Sequence, residues 1–97
     1  MPTMAELADS ILLVTGSVPA GQVTTYGDVA RVVGCGPRLV ARVLAARGGE
    51  TCWWRVLRSD GTIAEHLVGS ASEHLAEEGV AVRAGRVQLS AHRAALE

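Results

Sequence analysis

Four consecutive residues, Gly34-Cys35-Gly36-Pro37, constrain this chain more than any other stretch, because they must end one helix and start another almost at once. Glycine accepts the left-handed dihedrals that close a helix. Proline at a first helical position gives up only an amide that would lack a partner anyway. Upstream, Thr25 precedes a helical pattern and Asp28 follows three positions later, the spacing of a capping box, with Val29, Val32 and Val33 as an apolar face. Downstream, Leu39, Val40, Val43 and Leu44 can face a core while Arg38, Arg42 and Arg47 reach solvent or phosphate. Helix, tight turn, arginine-studded helix is the helix-turn-helix pattern, and an ordinary helix pair with solvated arginines is the competing reading.

The charge is sorted along the chain. Six of the nine basic residues, all arginine, lie between Arg31 and Arg58 against the single Glu50, whereas the whole chain has a formal net charge of −1. A local positive stretch of this kind suits nucleic acid even where the total charge does not. Guanidinium groups also suit bidentate contacts to phosphate and base edges.

At 97 residues the chain has room for one hydrophobic core, and with no Phe and only three aromatics that core must be built from Val, Leu, Ile and Ala. The expectation is a small single α+β domain over residues 1–97, winged-helix-like, with a helix-turn-helix and short β-hairpins. Thr3 with Glu6 marks the start of a first helix that should end near Gly16. Pro19-Ala20-Gly21 reads as a turn, and Cys52 to Arg58 as a strand that places Trp53 and Trp54 on opposite faces. Asp60-Gly61 is a turn signal and 62–64 a return strand. Ser70 with Glu73 starts a last helix ending at Gly79, Ala84-Gly85 turns a small hairpin, and residues 90–97 form a loose tail or short helix.

Chemistry-bearing patterns are sparse. Cys35 and Cys52 do not form a ligand spacing, and His66, His74 and His92 are unevenly placed, so no metal or cofactor is expected and His66 and His74 read as surface residues. The absence of a long apolar run or secretory start predicts a cytoplasmic protein, nucleoid-associated when on DNA, with no membrane partner.

Four segments, VPAGQVTTYGDVA, GPRLVARVL, CWWRVLRSDG and HLAEEGV, taken in order, resemble the DNA-binding domain of the O6-alkylguanine-DNA alkyltransferases over residues 18–80. The likeness is closest to the alkyltransferase-like proteins, in which tryptophan replaces the reactive cysteine. It implies that Tyr26 presses on the target phosphate, Arg38 enters the stack in place of an extruded base, and Ala41 lets the recognition helix lie close in the minor groove. It also implies a DNA-binding set of Thr25, Tyr26, Arg38, Ala41, Arg42 and Arg47. The implied lesion pocket comprises Tyr26, Trp53, Trp54, Arg55 and Ser59, with Glu78 completing a hydrogen-bond chain. Trp53 falls where the enzymes carry their nucleophile and Trp54 where they carry its histidine partner.

The resemblance therefore implies a monomeric, non-enzymatic sensor that flips O6-alkylguanine out of duplex DNA and leaves its removal to nucleotide-excision repair proteins. Two alternatives stand beside it: residual methyl transfer by Cys52, and an architectural or regulatory DNA-binding domain blind to lesions. Cys52 lies three residues before Arg55 rather than two, and no histidine follows to generate a thiolate.

Overall fold

The computed structural model describes residues 1–96. Helix α1 spans Met4–Gly16, strand β1 Thr24–Thr25, α2 Tyr26–Val33, α3 Pro37–Arg47, β2 Val56–Leu57, α4 Val68–Glu77 and α5 Leu89–His92, with short 3₁₀ turns at Gly48–Glu50, Trp53–Arg55 and Glu65–Leu67. The α+β expectation with a helix-turn-helix holds.

Helix α1 begins with the expected capping box: Thr3 Oγ1 accepts from the Glu6 amide at 3.1 Å and the Glu6 carboxylate accepts from the Thr3 amide at 3.1 Å. At α2 only half of that device forms. Thr25 Oγ1 accepts from the Asp28 amide at 3.0 Å, but the Asp28 carboxylate turns to the Arg93 guanidinium, at 2.9 and 3.0 Å. Gly34, at φ 87°, closes α2, and extended Gly36 with Pro37 opens α3.

The buried side chains form two clusters rather than one. Ile11, Val29, Val40, Val43, Leu44 and Val56 pack beneath α1 to α3. Val23, Leu57, Leu75, Val80 and Val87 pack beneath α4 and the C-terminal loops. The division runs through β2, where successive side chains face opposite ways, so Val56 joins one cluster and Leu57 the other.

The short extended segments pair differently from the sequence-based expectation. Strand β2 lies parallel to β1, with Thr24 opposite Val56 and Thr25 opposite Leu57. The turn at Asp60-Gly61 forms, but beyond Thr62 its return arm pairs with the segment around Arg86 instead. Ala84-Gly85, both at positive φ (52° and 72°), make a two-residue turn between Arg83 and Arg86, which exchange both backbone hydrogen bonds. Helix α4 starts at Val68 without a side-chain cap, so Ser70 is not its start. Of the loose tail or short helix expected over 90–97, the short helix forms as α5, and the described residues after it are tied down, residue 97 lying outside the described residues: the Val23 amide donates to His92 O, the Ala94 amide donates to Val23 O, and Ala94 is buried. Among the described residues no helix is long and apolar enough to cross a membrane.

Candidate nucleic-acid interface and base cavity

A cavity of about 680 Å³ opens between the outer face of α3 and the turn that carries the tryptophans. Pro37, Arg38, Ala41 and Ala45 line it from α3, Tyr26 from the start of α2, Trp53 from the 3₁₀ turn, Arg58 from the loop after β2, and Ala64, His66 and Leu67 from the segment before α4. This volume falls within the range of clefts that take a small molecule or a base. Arg38, Ala41 and Arg42 are exposed along α3, while Val40, Val43 and Leu44 are buried, so the helix presents arginine and small residues outward as its spacing predicts.

The tryptophan turn corrects a sequence-based argument. Trp53–Arg55 is a 3₁₀ turn and not part of a strand. Successive side chains therefore diverge by about 120° instead of alternating. Trp53 faces the cavity. Trp54 stacks on His74 with ring centroids 4.0 Å apart and planes 11° from parallel, and His74 also meets Trp53 edge-on at 6.0 Å. His74 is thus half-buried between indoles and not a free surface residue. Arg55 goes a third way: its Nη1 donates to Val18 O at 2.7 Å and its Nε and Nη2 donate to the Glu78 carboxylate at 2.9 and 2.5 Å.

Glu78 holds this arrangement in place, and local chain geometry sets Glu78. It caps the C-terminus of α4, where Gly79 takes φ 79°, the Gly79 amide donates to Ala76 O and the Val80 amide to Leu75 O. That Schellman pattern, with Val80 and Leu75 packed in the same cluster, fixes the backbone beneath the carboxylate. Trp54 Nε1 donates to Glu78 Oε2 at 3.0 Å and the Gly21 amide donates to Oε1 at 3.4 Å. The Arg55 hydrogen bonds hold the Glu78 carboxyl below the usual carboxylate range despite desolvation, and they push the guanidinium up.

The other expected site residues divide into two groups. Tyr26, Arg38, Ala41 and Trp53 come together around the cavity. Thr25 is 1% exposed and occupied in capping α2, so its side chain is withdrawn from the surface. Arg42 is exposed on α3 but outside the cavity. Arg47 is held by Glu50 at 2.9 Å and Asp9 at 3.3 Å. Trp54 and Arg55 stand behind Trp53 as its support, and Ser59 is exposed in the following loop without lining the cavity. Burial raises the Tyr26 phenol above its ordinary value, partly offset by the Arg58 cation, so the hydroxyl stays protonated and able to donate to an anion.

Among the wall residues outside the sequence-based site, three bear on its charge or shape. Arg58 and His66 are exposed side chains with no motif of their own. Gly48 is buried where α3 ends, and a Cβ there would sit 3.2 Å from Trp53 Cβ, so glycine is what lets the indole approach α3.

Neither thiol lies on the cavity wall. Cys52 Sγ donates to Thr15 O at 3.2 Å, toward α1. Cys35 packs against the first cluster, and burial raises its pKa. Among the described residues no group of three or more His, Cys, Asp or Glu side chains could hold a metal ion.

Comparisons with known proteins agree with this geometry. The family model of the 6-O-methylguanine DNA methyltransferase DNA-binding domain matches residues 6–80, a span that begins within α1 and ends at Val80. The fold superposes on the crystal structure of S. pombe Atl1 in complex with damaged DNA containing O6-carboxymethylguanine, at TM-score 0.83 and 28% identity, covering 97% of this chain and 100% of that one. A second crystal structure, of S. pombe ATL in complex with DNA, matches at TM-score 0.83 and 26% identity, covering 97% and 99%. A search of curated protein sequences finds no significant match.

Proposed function

The chain belongs to the family of the 6-O-methylguanine DNA methyltransferase DNA-binding domain, and from that premise we propose that it is a non-enzymatic sensor of O6-alkylguanine in duplex DNA. It docks α3 in the minor groove, rotates the modified nucleotide out of the stack and holds the base in the cavity between α3 and Trp53. The bound complex then marks the site for nucleotide-excision repair proteins. The sensor acts as a monomer, in the cytoplasm and on the nucleoid.

One observation carries the reading: the wall facing α3 is an indole, Trp53, and no thiol lines the cavity. An indole can stack on an extruded base and cover apolar alkyl surface, but it cannot accept a carbon in a displacement. The likeness to an S. pombe protein crystallised on damaged DNA supports the choice of ligand.

The remaining residues have separable tasks. Tyr26, protonated and in the first turn of α2, donates to the phosphate beside the target nucleotide. Arg38, exposed at the second residue of α3, fills the vacated stack, where its cation also meets aromatic faces. Ala41 keeps the helix surface low enough for the groove floor. Arg42 lies one turn beyond Arg38 and reaches backbone phosphate.

Competitive binding to matched duplexes bearing guanine or O6-methylguanine, followed by intact-protein mass measurement, tests the proposal. The expected result is preference for the modified duplex with no mass gain. Equal affinity for the two duplexes overturns lesion sensing, and a gain of one methyl overturns the non-enzymatic reading.

A further inference from the structure

We propose that Arg58 makes the cavity discriminate among modified bases by charge, favouring an O6 substituent that ends in a carboxylate over an uncharged one of the same size. The inference rests on the lesion-binding reading of the same cavity and adds the class of adduct it takes best.

The cavity holds two cations without counter-ions: Arg58 and Arg38 line it, and no Asp or Glu does. Arg47, Arg55, Arg86 and Arg93 each pair with a carboxylate, whereas among the described residues Arg58 forms no ion pair. Much of the surrounding wall is alanine, leucine, glycine and indole. A guanidinium set against such a wall interacts more strongly with an anion than it would in open water, and its planar fork matches a carboxylate in two bonds.

The backbone of Arg58 is also fixed. It opens a three-residue hairpin loop in which its amide donates to Thr62 O at 3.0 Å and its carbonyl accepts from the Gly61 amide at 2.8 Å. Gly61 stands at φ 84°, where a Cβ would lie 2.4 Å from Val87 O, so only glycine closes this loop. The Arg58 cation acts on the cavity wall, where it lowers the Tyr26 phenol and partly offsets the rise caused by burial.

The nearest acids do not remove this charge. A smaller cavity of about 500 Å³ on the far side of Arg58 is lined by Asp60 and Glu65. Asp60 is engaged by the Thr62 amide at 3.0 Å, the Thr62 hydroxyl at 2.6 Å and Arg86 at 3.9 Å. Glu65 is exposed and forms no ion pair among the described residues. Arg38 comes to the cavity from α3 and Arg58 from the loop after β2, so the two cations reach it from different elements.

The test uses the full chain and four duplexes that differ only at one guanine: unmodified, O6-methyl, O6-carboxymethyl and its uncharged isostere O6-carbamoylmethyl. Wild type should bind the carboxymethyl duplex about tenfold more tightly than the carbamoylmethyl duplex, the scale of one charge-assisted contact at a partly solvated site. Arg58→Gln should bring that ratio close to one, and Arg58→Lys should keep part of it. Circular dichroism melts verify that both variants fold.

A ratio in Arg58→Gln equal to that of wild type overturns the inference. So does an equal loss of affinity for all four duplexes, which would assign Arg58 to backbone phosphate. If wild type prefers every modified duplex to the unmodified one but shows no carboxymethyl preference, this inference falls and lesion sensing stands. If wild type prefers none of them, lesion sensing falls as well.

Discussion

Glu78 receives Arg55 Nη2 at 2.5 Å and Trp54 Nε1 at 3.0 Å on the same carboxylate oxygen, so one side chain fixes two of the three residues in the turn that carries Trp53. The side chains of Arg55 and Glu78 are 14% and 12% exposed. A pair this sheltered is costly to break from one side, because the remaining charge keeps its desolvation penalty without its partner. Glu78→Gln should therefore destabilise the fold by about 3 kcal/mol at neutral pH. The pH dependence follows from the lowered Glu78 carboxyl: its contribution is complete above the ordinary carboxylate range and is lost as pH falls through the depressed folded value. Urea unfolding between neutral pH and pH 3 should show a shallower acid loss in the variant than in wild type. Parallel acid limbs would remove Glu78 from this role, although Asp28, lowered by Arg93, contributes a loss of the same sign in both proteins.

The two tryptophans should separate by function. Trp53 lines the cavity, whereas Trp54 stacks on His74 and donates to Glu78. Trp53→Ala should reduce discrimination between O6-methylguanine and guanine duplexes more than it reduces binding to plain duplex. Trp54→Ala should cost about 2 kcal/mol of stability, less than a fully buried ring, while leaving discrimination in the folded fraction closer to wild type. Thermal melts and paired binding isotherms check both. A Trp54 variant of normal stability with lost discrimination would reverse the assignment.

Arg38 and Tyr26 should also differ in the size of their effects. Arg38 is exposed at the start of α3 and lines the cavity, so Arg38→Ala leaves nothing to fill the stack and should cost on the order of 2 kcal/mol of lesion affinity. Tyr26→Phe removes one hydroxyl donor and should cost about 1 kcal/mol. Calorimetric affinities on one modified duplex measure both. Wild-type affinity in Arg38→Ala would exclude it from the stack.

What the sequence made legible depends on how local the cause was. The glycine-proline break, the Thr3 cap and the apolar spacing on α3 are settled within one or two helical turns, and each appears where expected. The cavity wall contributed by α2 and α3 followed from the same local rules together with the family likeness. The Trp53–Arg55 segment did not, because aromatic and branched residues favour a strand by propensity. Its 3₁₀ form goes with three contacts distant in sequence: Trp54 on His74, Arg55 on Val18 O and both on Glu78. Arg58 and His66 reach the cavity only through loop closures with Thr62, Gly85 and Val87. No spacing in the chain encodes those meetings.

Arg42 and Arg47 test whether the positive stretch acts through individual phosphates or through its total charge. Both are arginines on α3, about one turn and two and a half turns beyond Arg38, yet Arg42 is exposed with no ion pair among the described residues while Arg47 is held by Glu50 and Asp9. An arginine already neutralised by two carboxylates displaces fewer counterions from DNA than a free one. Affinity for any duplex should fall as salt rises, and each phosphate neutralised contributes about 0.9 to the slope of log affinity against log salt. Arg42→Ala should reduce that slope by about one such increment, equally on modified and plain duplexes. Arg47→Ala should leave the slope near wild type and act instead on the junction of α1 with the end of α3, seen as a small fall in melting temperature. Titrations at several salt concentrations distinguish the cases. Equal slope losses for the two variants would mean that Arg47 leaves its carboxylates on binding and that the DNA footprint extends to the end of α3.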